Sequence, residues 1–134
     1  MIRCGPAAAL AVVLVAAVAV PRMAEAASPD EVLCLMMSES ATTVNAAGPV
    51  AIDALTTQES VSVDCGSRTI LTRFSRKDSA GDQPAGWQAS WQSQLDAAYC
   101  GDATMRDIIK SGWTLAETTE FADGVELEIK AACE

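Results

Sequence analysis

The sequence contains no histidine. This absence removes the commonest general base, the usual activator of a serine or cysteine nucleophile, and the commonest zinc ligand. The cysteines lie far apart with no Cys-x-x-Cys pair, so neither a thioredoxin-like site nor a zinc knuckle is indicated. No glycine-rich phosphate loop, Gly-x-Ser-x-Gly elbow or EF-hand spacing occurs. The sequence therefore predicts no cofactor, no metal site and no catalytic residue, and it favours a protein that is not an enzyme.

Basic residues are also scarce, with 9 Lys and Arg against 18 Asp and Glu. Residues 27–134 carry 7 basic and 17 acidic residues, a net charge of −10. An acidic surface repels phosphate backbones and anionic lipids, which argues against nucleic acid or a lipid surface as a partner. The same charge is typical of ordinary solubility, so it does not by itself indicate an acidic docking face.

One long apolar run occurs, from Ala7 to Val20, and it follows the positive charge of Arg3. Its 14 residues are fewer than the roughly 20 that a membrane-spanning helix needs. Ala24-Glu25-Ala26 then supplies the small-x-small pattern of a signal peptidase site. We therefore predict a signal peptide over 1–26, with a retained anchor as the alternative. We further predict one domain over 27–134, no membrane span after cleavage, and a periplasmic or secreted location.

Four cysteines follow this leader: Cys34, Cys65, Cys100 and Cys133. An even count behind an export signal predicts two disulfides, and four cysteines allow three pairings. We favour Cys34–Cys65 and Cys100–Cys133, because each of these pairs is predicted to point into the same layer between a helix and a strand.

Hydrophobic periodicity predicts three helical and four extended segments. The predicted helices cover 28–47, 87–99 and 104–110, and the predicted strands cover 59–64, 69–75, 113–121 and 125–131. Gly66-Ser67 and Asp123-Gly124 are turn pairs that close two hairpins. The predicted fold class is α+β, with the order helix–hairpin–helix–hairpin, an antiparallel four-stranded sheet, helices on one face and two disulfides. The order of the strands stays open.

Two residue pairs on the predicted helices have alternative roles. Met36 and Met37 could form a soft-metal site or a greasy groove, but their place in a helical stripe favours core packing. Trp87 and Trp91 are four residues apart and could form a carbohydrate platform, but closing a core is the favoured role.

Three polar residues are candidate ligand or structural residues. Arg106 and Asp107 lie together on the short third helix, where an arginine could bind an anionic group. The favoured alternative is that Arg106 bonds backbone carbonyls of the neighbouring hairpin. Asp53 lies within an extended approach segment, 50–58, and could act in acid–base chemistry, although a role in a turn is favoured. Asp102 is placed to cap the short helix.

Several spacings resemble a known pattern. They are Gly48-Pro49-Val50-x-Ile52-Asp53-x-x-Thr56, Cys100-x5-Arg106-x5-Gly112, the Asp123-Gly124 turn and the terminal Cys133. This pattern resembles a diffuse group of small exported bacterial proteins of uncharacterised function, and it is similar to the family labelled quorum-sensing-regulated virulence factors. The chain departs from that family at its Tyr-x-Tyr pair, where Thr72-Arg73-Phe74 and Thr119-Glu120-Phe121 stand instead. The resemblance implies an α+β fold and a periplasmic or secreted life, and it implies no catalytic residues.

The function favoured by the sequence is non-enzymatic binding of a protein or envelope component. One alternative is an inhibitor or immunity protein against a secreted enzyme, which would use acidic residues such as Asp78 and Asp82. The other is a small hydrolase or lyase with two carboxylates converging in a cleft. The oligomeric state does not follow from the sequence.

Overall fold

The computed structural model describes residues 27–134, and the predicted signal peptide lies outside the described residues. Its helices are α1 (Pro29–Ala46), α2 (Trp87–Gly101) and α3 (Ala103–Lys110), with a short 3-10 helix at Ala80–Asp82. Its strands are β1 (Val50–Ala51), β2 (Thr56–Asp64), β3 (Thr69–Arg76), β4 (Thr114–Glu120) and β5 (Glu126–Lys130). Leu33–Glu134 forms a compact unit, while the predicted domain start at residue 27 stays a prediction.

The five strands form one sheet in the order β1-β2-β3-β4-β5. Neighbouring strands are antiparallel except β3 and β4, which are parallel. The prediction of an antiparallel four-stranded sheet built from helix–hairpin units is therefore wrong on two counts. The sheet has a fifth strand, β1, and its central pair runs in the opposite sense to the prediction.

The parallel pair follows from the connection between β3 and β4. Two successive helices, α2 and α3, fill this connection and return the chain to the end of the sheet where β3 began. A crossover of this kind joins parallel strands, whereas antiparallel neighbours need only a short turn. Thr69 accordingly lies beside Thr114, and the register continues to Ser75 beside Glu120.

Helix α1 begins and ends as its sequence pattern predicts. The backbone N–H of Glu31 donates to Ser28 Oγ at 3.3 Å, and the Ser28 N–H donates to Glu31 Oε2 at 2.7 Å. This reciprocal pair is a capping box. At the other end, Gly48 follows the last turn with a φ of 80°, a conformation that glycine adopts without steric cost.

The core lies between the helices and one face of the sheet. Ile108 on α3, Trp113 just before β4 and Leu115 on β4 are buried together, and Leu33 and Met37 of α1 pack against them. The remaining partly buried members of this cluster are Cys34, Val63, Ile70, Tyr99, Met105, Ile109 and Ala131. Alternation along β4 thus places Trp113 and Leu115 on the helix-facing side of the sheet.

Both predicted disulfides are present. Cys34 is joined to Cys65 with a Cα–Cα distance of 5.8 Å, and Cys100 is joined to Cys133 at 5.5 Å. The first bridge ties α1 to the end of β2, and the second ties α2 to the segment after β5. Within residues 27–134, no helix has the length and apolar character that crossing a membrane requires.

Candidate functional site

Helix α1 exposes large apolar side chains as well as burying some. Leu33 and Met37 face the core, while 61% of Leu35 and 59% of Met36 remain exposed. Val44, in the last turn, is also exposed. Met36 was predicted to pack in the core, but it is turned about 100° from Met37 around the helix axis. Its side chain therefore leaves the core and reaches the surface.

A groove of about 390 Å³ runs between α1 and α3. We call it the α1–α3 groove, and its lining residues are Leu33, Met36, Met37, Thr104, Asp107, Ile108 and Ser111. A second depression, of about 490 Å³, continues along α1 from Met36 to Val44. Because Met36 lines both, its side chain stands at the junction of one extended apolar surface.

The charged residues that line this surface are acidic. Asp107 lines the α1–α3 groove, and Glu39 lines the depression along α1. Helix α1 contains no lysine or arginine. Arg106 and Lys110 project from other positions around α3 and do not line the groove. The combination of an apolar floor and carboxylates at its edge is complementary to an apolar segment with basic flanks.

Three local interactions hold the walls of the groove. The Cys34–Cys65 bridge fixes the first half of α1 against β2. In the second half, the side-chain amide of Asn45 donates to the Val61 carbonyl at 2.7 Å and accepts from the Val61 N–H at 2.8 Å. On the opposite wall, Asp102 caps α3 by accepting from the Met105 N–H at 3.0 Å. Both walls are therefore held by contacts outside the groove itself.

The candidate residues named from the sequence are spread over the structure. Asp107 lies in the groove, whereas the side chain of Arg106 makes no hydrogen bond or ion pair with any residue of 27–134. Arg68 instead donates to the Ser111 carbonyl, at 3.4 Å. Asp53 accepts from the backbone N–H groups of the turn before β2, each at 2.8 Å. These bonds lower the pKa of Asp53 and give it a role in the turn.

The tryptophans of α2 form a cluster with a buried phenylalanine. The ring centroids of Trp87 and Trp91 lie 5.2 and 5.6 Å from that of Phe121. The guanidinium of Arg76 lies 5.3 Å from the Trp91 centroid and donates to both carboxylate oxygens of Asp78. That pairing lowers the pKa of Asp78 to about 2. Asp78 is thus engaged within the fold, although it was named as a residue that an inhibitor could use.

Carboxylates also border a depression of about 500 Å³ on the sheet face opposite the helices. Glu59, Glu120 and Glu126 line it together with Arg73, and the Ser75 hydroxyl donates to Glu59. No three metal-ligating side chains of residues 27–134 gather closely enough to hold an ion.

Sequence reasoning overlooked Glu117. It lies on β4 two residues after buried Leu115, so its side chain points to the helix-facing side of the sheet. There it accepts a hydrogen bond of 3.1 Å from the Tyr99 hydroxyl. Burial raises the pKa of Glu117, and burial together with Glu117 raises the pKa of Tyr99 to about 12. The sequence does indicate this position, since Glu117 lies two and four residues after Leu115 and Trp113 and therefore faces the same side of the sheet.

Comparison with known proteins identifies the fold. No family model matches the chain, so the resemblance to the quorum-sensing-regulated virulence factors stays unconfirmed, and no curated protein matches either. The structure is similar to the crystal structure of a candidate secreted protein from Pseudomonas aeruginosa, with a TM-score of 0.61 and 18% identity over 78% of this chain and 94% of that one. It is also similar to a pilotin from the type 2 secretion system of Vibrio vulnificus, with a TM-score of 0.55 and 19% identity over 75% of this chain and 89% of that one. At these identities the likeness establishes the fold alone.

Proposed function

We propose that the protein is exported and binds a protein of the cell envelope through the α1–α3 groove, without catalysing a reaction. The observation that carries this proposal is the exposure of Met36 at the junction of two apolar depressions. Continuous apolar surface on a small domain marks a site of interaction, because leaving it in water is unfavourable.

The surroundings of the groove suggest the chemistry of the partner. Asp107 and Glu39 border the apolar surface, and residues 27–134 have a net charge of −10. An amphipathic segment with an apolar stripe and flanking Lys or Arg would match both features. Methionine suits such a surface, since its unbranched side chain adapts to the shape of its partner.

Two further considerations support a role in the envelope. The predicted signal peptide and the two disulfides suit an oxidising compartment outside the cytoplasm. One of the structural neighbours is a pilotin from a type 2 secretion system, which makes partnering within an export machinery a reasonable function for this fold. Because a fold does not fix a function, the groove carries the proposal and the likeness adds to it.

Photo-crosslinking in exporting cells tests the proposal. A photoreactive residue is placed at position 36 or, as a matched control, at position 35, because both side chains are about equally exposed on the same helix and Leu35 does not line the groove. We expect a discrete protein adduct from position 36 that excess unlabelled Leu35→Lys protein abolishes by competition, whereas the Met36→Lys protein does not, because its groove is disrupted. Equal adducts from both positions, or none from position 36, would overturn the proposal. Disulfide mapping and melting curves of each variant control for folding.

A further inference from the structure

A second cleft lies between α2 and the sheet, away from the α1–α3 groove. It has a volume of about 330 Å³ and is lined by Trp91, Gln94, Leu95, Ala98, Glu117 and Ile129. The four residues from α2 recur at helical spacing and form one wall, while the other two come from β4 and β5. The cleft is therefore built from elements that the core already holds in place.

Glu117 is the charged group of this cleft and lies in the middle of the sheet. It is flanked on β3 by Thr72 and on β5 by Ile129. Among residues 27–134, its carboxylate accepts one hydrogen bond, from Tyr99, which is fixed beside the Cys100–Cys133 bridge. No lysine or arginine of residues 27–134 contacts the carboxylate. A half-buried carboxylate without a cation is costly, because burial removes water that nothing positive replaces.

The other polar group of the cleft is also an acceptor. The side-chain amide nitrogen of Gln94 donates to the Ser90 hydroxyl at 3.2 Å, which leaves the amide oxygen free to accept. The hydroxyl of Tyr99 is already used as a donor to Glu117. Apart from the second amide N–H of Gln94, the cleft thus offers acceptors and one negative charge, together with the apolar side chains of Trp91 and Leu95. Such a lining repels anions and suits a donor that carries positive charge and an apolar stem.

We propose that this cleft binds an alkylammonium group, with the ammonium at the Glu117 carboxylate and the alkyl stem against Trp91 and Leu95. The ligand can be a free amine or the lysine side chain of a polypeptide, since both present the same chemistry. This site goes beyond the proposed function, because neither the groove nor its residues take part in it.

The test uses the disulfide-bonded protein and n-butylammonium as the probe, followed by amide and side-chain NMR. We expect saturable shifts at Glu117, Trp91 and Ile129, and a pKa of Glu117 that falls on binding because a cation favours the ionised carboxylate. Tyr99 is the titratable group in contact with Glu117 from α2, and Thr72 and Ile129 face it from the neighbouring strands. Neutral n-butanol, of nearly the same shape, should bind at least about tenfold more weakly.

Two variants and a second probe complete the test. Glu117→Gln keeps the shape of the side chain and should weaken n-butylammonium binding at least about tenfold, whereas Glu126→Gln, on the other sheet face, should leave it unchanged. A blocked lysine, Nα-acetyl-lysine methylamide, distinguishes the sources: tighter binding than n-butylammonium assigns a polypeptide, and weaker binding assigns a free amine. Equal binding of amine and alcohol, equal loss in both variants, or an unchanged Glu117 pKa would overturn the proposal. The pKa measurement on the unaltered protein keeps the test decisive even if Glu117→Gln does not fold.

Discussion

Removing the Cys100–Cys133 bridge gives the sharpest test of how this small domain is stabilised. The bridge closes a loop with a sequence separation of 33 residues. In the chain-entropy model, a loop of this size reduces the entropy of the unfolded chain enough to stabilise the fold by about 3.7 kcal/mol. A domain of this length changes its melting temperature by roughly 4 °C per kcal/mol. The double variant Cys100→Ala/Cys133→Ala should therefore melt about 15 °C lower.

The double variant is preferred because a single substitution leaves a free thiol that can exchange with the other bridge. Thermal unfolding by circular dichroism and urea titration of the oxidised protein would supply the melting temperature and the free energy of unfolding. Glu126→Ala is the matched control, since it removes an exposed side chain from β5 and should change stability by less than about 0.5 kcal/mol. If the double variant and Glu126→Ala shift the melting temperature equally, the bridge does not stabilise the fold through loop closure.

Further predictions concern single contacts described above. Asn45→Ala should lower the free energy of unfolding by about 1–2 kcal/mol in urea titration, because it removes both hydrogen bonds to Val61; a change below about 0.3 kcal/mol would contradict this. Asp102→Ala should cost about 1 kcal/mol through the lost cap of α3, and Asp102→Asn should restore most of it. The pKa of Asp78 is lowered to about 2, so its pairing with Arg76 stabilises the fold above about pH 4 and is lost as the pH falls toward 2. An Asp78→Asn variant should lack that part of the acid dependence, and identical acid titrations of the two proteins would contradict it.

Periodicity predicted the positions of the secondary structure elements, but it did not predict how the strands pair in the sheet. Alternation identifies the buried side of a strand and says nothing about which strand lies beside it. Two hairpins separated by helices are compatible with an antiparallel or a parallel junction. Here the α2–α3 crossover decides in favour of the parallel pair of β3 and β4. The two-residue strand β1 was too short to give an alternating signal.

The candidate sites were predicted less well, for identifiable physical reasons. The stripe containing Met36 and Met37 was assigned to the core as a whole, although adjacent helical residues point in directions about 100° apart. Asp107 was named from its position, and the groove that it lines depends on the packing of α1 against α3. Glu117 was missed for a different reason. Alternation places it on the apolar side of β4, but a carboxylate is not expected on that side.

The two disulfides follow one another along the chain without interleaving, since the Cys34–Cys65 loop is complete before Cys100 is reached. In a chain exported from its N-terminus, as proposed above, the first bridge is able to close while the second half of the chain is still inside the translocation channel. The first closed loop contains β1 and β2, and the second contains α3, β4 and β5. The parallel pairing of β3 with β4 joins the two disulfide-closed parts of the chain, so it forms only after β4 has left the channel.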